Sequence, residues 1–121
     1  MQLPTDTEVF KVEIVHFQDE IPIQFELRYV NSSLVPGFIN VDFETTTTTE
    51  YLIGEIRPEE LEHVVKAIIP NDFIAKNLDI PISEPCLKLS RRTWKDGEIV
   101  TCAELIYPSS RYELGDRYSP S

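Results

Sequence analysis

The chain has 121 residues, 41% hydrophobic and 26% charged, the size and balance of one compact soluble domain. Its 21 acidic residues against 11 basic ones give a formal net charge of −10, so the segment lacks the basic face that gripping nucleic acid requires. No apolar run approaches the roughly 18 residues of a membrane span, and Met1–Asp6 has no basic stretch leading into an apolar one; no secretory leader is expected, and the expected location is the cytoplasm.

Residues Glu8 to Phe17 read as a strand, with Phe10, Val12 and Ile14 alternating against Lys11 and Glu13. After the polar turn Gln18-Asp19-Glu20, Ile21 to Val30 is the clearest strand of the chain. Ile21, Ile23, Phe25, Leu27 and Tyr29 form its apolar face, and Gln24, Glu26 and Arg28 its polar one. Asn31 to Gly37 interrupts the pattern, and Pro36-Gly37 suits the centre of a type II turn. The five threonines Thr45 to Thr49 precede Glu50-Tyr51-Leu52-Ile53, which predicts a short helix capped by a threonine and closed by Arg57-Pro58. Glu62 to Pro70 reads as a third strand, and Asn71 as the cap of a helix running to Leu78. A link containing Pro81 and Pro85 leads to Cys86–Trp94 and Ile99–Pro108, a hairpin around the turn Lys95-Asp96-Gly97-Glu98. The tail after Leu114 is polar and expected to fray. Hairpins at both ends with short helices between them predict a single α+β domain on a mostly antiparallel sheet.

The last hairpin carries the most chemistry. An unbroken ladder centred on Asp96-Gly97 sets Arg92 opposite Thr101, Ser90 opposite Ala103, Lys88 opposite Leu105 and Cys86 opposite Tyr107. In that register Cys86 and Cys102 are too far apart for a disulfide, and both are expected as buried free thiols. Leu87, Leu89, Val100, Cys102 and Ile106 make the packed face, with Arg91 and Glu104 paired diagonally on it. The small pair Ser90 and Ala103 leaves a hollow on the other face, bordered by Arg92, Thr101 and Tyr107, a reasonable small-molecule site. Arginine suits a planar carboxylate because its fork of donors engages both oxygens. Against this stand plainer readings: Arg92 pairing with a surface acid, Glu26 and Arg28 on a solvated face, and His16 and His63 as core or edge histidines. The chain has no nucleophile elbow, no phosphate loop and no zinc-type cysteine spacing, so no enzyme, cofactor or metal is expected.

The order of segments resembles the UTRA domain, the effector-binding half of GntR-type transcriptional repressors. The resemblance rests on Val15-His16-Phe17, Ile21–Asn31, Glu50-Tyr51-Leu52, Glu62–Ala67, Glu84–Leu87, Arg91–Trp94 and Pro108–Tyr112, spread over about residues 9–114. The Glu-x-Arg-Tyr-Val-Asn, Glu-His-Val-Val and Arg-Arg-Thr-Trp segments are closest to members that govern histidine utilisation. The resemblance implies a chorismate-lyase-like fold without lyase activity and a homodimer. Urocanate is the effector it implies, a ligand that lowers operator affinity. It also implies that DNA is met only through an N-terminal winged-helix domain absent from this chain. The family's contacts fall on Glu26, Thr46, Thr47, Arg92, Thr101 and Tyr107, with Arg28 and His63 in matching motifs. This chain departs from relatives in having Tyr107 and Ser109 where histidine and glycine are frequent, and Thr101 where sugar-responsive members often carry glutamate. The competing functions are an enzyme of the chorismate-lyase type, a UTRA domain for another carboxylate or a sugar phosphate, and a purely structural dimerisation module.

Overall fold

Two hairpins carry the architecture, and the same local device shapes both. In the computed structural model, which describes residues 8–42, 46–113, 115 and 117, strands β1 (Val9–Gln18) and β2 (Ile21–Asn31) turn through Asp19 and Glu20. Both residues have positive φ, 52° and 67°. Strands β4 (Cys86–Lys95) and β5 (Glu98–Pro108) turn through Asp96 and Gly97, with φ of 52° and 75°. Two central residues with φ > 0 match the right-handed twist of the flanking strands, as expected at Asp96-Gly97.

Past each turn the second strand carries one extra residue. Ile23 stands between the pairs Phe17–Pro22 and His16–Gln24, and Val100 between Trp94–Ile99 and Thr93–Thr101. Each is a β-bulge, and because side chains alternate with period two, each exchanges the faces of everything beyond it. The expected ladder of the last hairpin is therefore corrected by one residue. Thr93 faces Thr101, Arg92 faces Cys102, Arg91 faces Ala103 and Ser90 faces Glu104. Cys86 now lies opposite Pro108, six residues along β4 from the partner of Cys102, and both cysteines are buried and free.

The sheet is antiparallel throughout, in the order β1-β2-β5-β4-β3, with β3 (Glu60–Ile68) starting and ending two residues earlier than expected. Helix α1 (Thr48–Ile56) and a 3₁₀ turn at Pro36–Asn40 cover one face, where Leu52 and Phe38 pack with Val30, Val35 and Val100. Helix α2 (Asp72–Leu78) covers the other, where Leu78 packs with Phe25, Cys86 and Ile106. The type II turn expected at Pro36-Gly37 is that 3₁₀ turn instead. Winding on past Gly37 buries Phe38 between Phe10 and Tyr51, at ring distances of 6.3 and 6.0 Å. A Cβ at Gly37 would stand 3.1 Å from the Tyr51 hydroxyl.

Both predicted caps are present. Thr47 accepts the Glu50 N–H at 3.0 Å and Asn71 accepts the Ile74 N–H at 2.8 Å. Asn71→Ala is expected to lower the unfolding free energy by about 1 kcal/mol, read by urea denaturation. Thr45 and the tail after Leu114 lie outside the described residues, apart from 115 and 117. Among the described residues no helix is long and apolar enough to cross a membrane.

Candidate functional site

The polar face of β2 is not solvated: Glu26 and Arg28 are each 2% exposed. They sit mid-sheet, opposite Leu105 and Ala103 of β5, and α1 descends onto them. Thr48, the first residue of α1, donates its hydroxyl to Glu26 Oε2 at 2.8 Å, and Arg28 Nε donates to the same oxygen at 2.7 Å. His16, from β1, donates Nε2–H to Glu26 Oε1 at 2.8 Å. Burial pushes the Glu26 carboxyl upward, but His16, Arg28 and Thr48 together overcome it and hold the group at about 2. Three donors thus fix one buried carboxylate and, through it, the Arg28 guanidinium.

Around this pair lie two hollows. The larger, of about 510 Å³, is bordered by Arg28, Leu52, Arg57, Pro58, Leu61, Arg91, Thr93 and Thr101. The other, of about 480 Å³, is bordered by His16, Gln24, Glu26, Thr47, Thr48, Tyr107 and Tyr112, and again by Arg28 and Arg91. The two arginines form the partition. Thr93 and Thr101 share a hydrogen bond of 2.8 Å on one side of it. On the other, Gln24 donates to the Tyr107 hydroxyl at 2.6 Å while the Tyr107 and Tyr112 rings stack at 3.9 Å. Burial raises the Tyr107 phenol above its ordinary value, so it stays protonated.

Arg91 is half-buried, and its Nε–H donates to His63 Nε2 at 2.8 Å. Burial lowers the His63 imidazole below its usual range, and the Arg91 charge adds to the effect, so the acceptor is the neutral ring. Burial and the neighbouring Arg28 charge lower Arg91 itself. Among the described residues no carboxylate forms an ion pair with Arg91, although the chain carries 21 acids.

The structure therefore brings together Glu26, Arg28, Thr47, Thr101 and Tyr107, but it divides Thr101 from Tyr107 between two hollows. Thr46 lies beside them without lining either, its hydroxyl 3.4 Å from Glu50 Oε2. His63 reaches the site through Arg91 alone. Arg92 does not border it: the bulge at Val100 turns this residue to the α2 face, where Nε donates to Glu62 Oε1 at 2.7 Å and the guanidinium lies over the Trp94 ring. For the same reason Arg91 does not pair with Glu104 across the packed face. Sequence reasoning passed over His16, Gln24, Thr48, Arg91, Thr93 and Tyr112. The doublet Arg91-Arg92 was the available signal, since neighbours on a strand face opposite ways and one of the two must reach the site.

Comparison with known proteins bears on the family and the fold. The UTRA domain profile matches residues 1–113. The chain is similar to the histidine utilization repressor of Pseudomonas aeruginosa, 42% identical over 111 residues, covering 92% of this chain and 44% of that protein. It is 36% identical to the repressor of the same name from Klebsiella aerogenes, covering 98% of this chain and 49% of that one. The chain thus spans about half the length of these curated relatives. Among solved structures, the C-terminal domain of the histidine utilization repressor from Pseudomonas syringae pv. tomato superposes with a TM-score of 0.93 at 40% identity, covering 98% of this chain and 84% of that one.

Proposed function

The chain belongs to the UTRA domain family, and on that premise we propose that it is the effector-sensing part of a histidine-utilisation repressor, with urocanate as its ligand. The relatives named as repressors supply the regulatory role. In this reading the domain performs no chemistry, forms a homodimer, works in the cytoplasm, and reaches DNA only through another domain. The observation that carries it is Arg91, a half-buried cation at the partition of two hollows that is hydrogen-bonded to a neutral histidine and not to a carboxylate. A planar organic carboxylate is the group that completes it. His63 holds the Nε–H, and the terminal nitrogens present the fork.

The imidazole end of urocanate then lies in the second hollow. Tyr107 and Gln24 are within reach there, and Glu26 retains acceptor capacity beyond its three donors. Thr101, with Thr93, flanks the carboxylate side. Binding shifts the dimer between arrangements of different operator affinity. A second reading follows from Arg28, Arg57 and Arg91 all bordering the larger hollow, which also suits a more highly charged anion such as a sugar phosphate.

A thermal-shift series tests both. Urocanate at a hundredfold excess over its Kd is expected to raise the melting temperature by roughly 10 °C, with histidine and sugar phosphates leaving it unmoved. A shift with a sugar phosphate alone would replace urocanate by the second reading.

A further inference from the structure

Strand β3 ends the sheet with an open edge, and its side chains are those of an unfinished interface. Leu61, Val64 and Val65 are 59%, 52% and 44% exposed, on both faces of one edge strand. On the α2 face Lys66 stands directly opposite Lys88, two like charges in register, and Glu62 stands opposite Arg92. Like charges facing one another across a ladder destabilise it unless an acid joins them.

We propose that a second copy of this chain docks on β3, antiparallel, with the two-fold axis at Val64; this refines the homodimer of the functional reading above. The strand alternation restricts such an axis to a residue position, because paired residues must share a face. An axis at Glu62 or at Lys66 sets like charges against themselves. An axis at Val64, the central residue of Glu60–Ile68, pairs all nine residues of the strand. It sets Val64 against Val64, and Lys66 of each copy against Glu62 of the other. Among the described residues no acid forms an ion pair with Lys66 or Lys88; the docked copy supplies one twice, and Leu61 and Val65 lose solvent on the opposite face. A lysine on an edge strand ordinarily blocks pairing. Here, two positions from the axis and matched by Glu62 on the far side, it supports the register that pairs the whole strand.

The other edge, β1, is differently made. Its Lys11 and Glu13 pair within the strand at 3.2 Å, and before Phe17 its apolar residues are partly covered. Docking at β3 also joins the interface to the site. Leu61 borders the larger hollow and His63 receives the Arg91 hydrogen bond, so an anion at Arg91 acts one strand away from the axis.

The test is a cysteine scan of the 121-residue chain. Val64→Cys faces itself across the axis, with Cα atoms about 4.5–5.5 Å apart, inside the disulfide range. It is expected to convert nearly completely to a linked dimer under mild oxidation. Lys66→Cys alone should stay unlinked, and a mixture of Glu62→Cys and Lys66→Cys chains should link. Both native thiols are buried and do not compete. Wild-type chain that sediments as a monomer at every concentration overturns the proposal, and so does a dimer that Val64→Cys leaves unlinked. Neither result touches the urocanate titration, and a linked dimer that ignores urocanate would leave this interface standing while removing the effector.

Discussion

Replacing Arg91 with alanine is expected to weaken urocanate binding by about 2–5 kcal/mol, roughly 30-fold or more, because the ligand carboxylate is left buried without its cation. Arg92→Ala is expected to leave affinity nearly unchanged, since Arg92 lies on the opposite face with Glu62 and Trp94. Arg91→Lys should recover only part of the loss, a point charge lacking the planar fork. Neither alanine variant should alter the fold much. Arg91 gives up one hydrogen bond to an exposed histidine, worth about 1 kcal/mol, and the cation is not part of a packed cluster. Calorimetric titration of urocanate into the three variants and wild type decides the matter. If Arg92→Ala loses affinity and Arg91→Ala keeps it, the ligand lies on the α2 face and the hollows described here are not its site.

The contrast between these two adjacent arginines also shows what the sequence could and could not convey. Alternation located all five strands, and Asp96-Gly97 located the second turn, because hydrophobic period and turn preference are local properties. The bulge at Val100 is a single unpaired residue with no compositional mark, yet it moves Arg92 out of the site and Arg91 into it. Glu26 and Arg28 failed differently. Their alternation with Phe25, Leu27 and Tyr29 is the ordinary signature of a strand with one wet face. What covers them is α1, twenty residues later in the chain, and the link is the Thr48 hydroxyl. The threonine run was legible as a cap through Thr47; that its next residue reaches the sheet depends on how the helix lies, which no spacing encodes. His16 alternates with apolar residues as a core or edge histidine does, and only the β1–β2 register sets it beside Glu26.

The second large effect is on stability and belongs to Glu26. Glu26→Gln keeps the volume but leaves Arg28, 2% exposed, without its anion, and breaking one side of a buried pair costs about 3–5 kcal/mol. The loss is much of the stability of an average domain, and urea unfolding followed by circular dichroism reads it. Wild-type stability should carry the same signature against pH. The folded carboxyl sits at about 2 against an ordinary 4.5, so its contribution is fully present above pH 4.5. It is lost progressively as the pH falls from there toward 2, where the folded state too takes up the proton. In Glu26→Gln that part of the acid dependence should vanish, flattening the curve between pH 4.5 and 2. Replacing both partners, Glu26→Leu with Arg28→Met, removes the unpaired charge along with the pair and should recover most of the loss. Urocanate binding should not return with it, since Arg28 borders both the carboxylate and the imidazole sides of the site and Glu26 borders the imidazole side. A double variant that is stable and still binds would show that the buried pair serves the fold alone. A double variant as unstable as Glu26→Gln would place the cost in His16 and Thr48, the two donors stranded when the carboxylate goes.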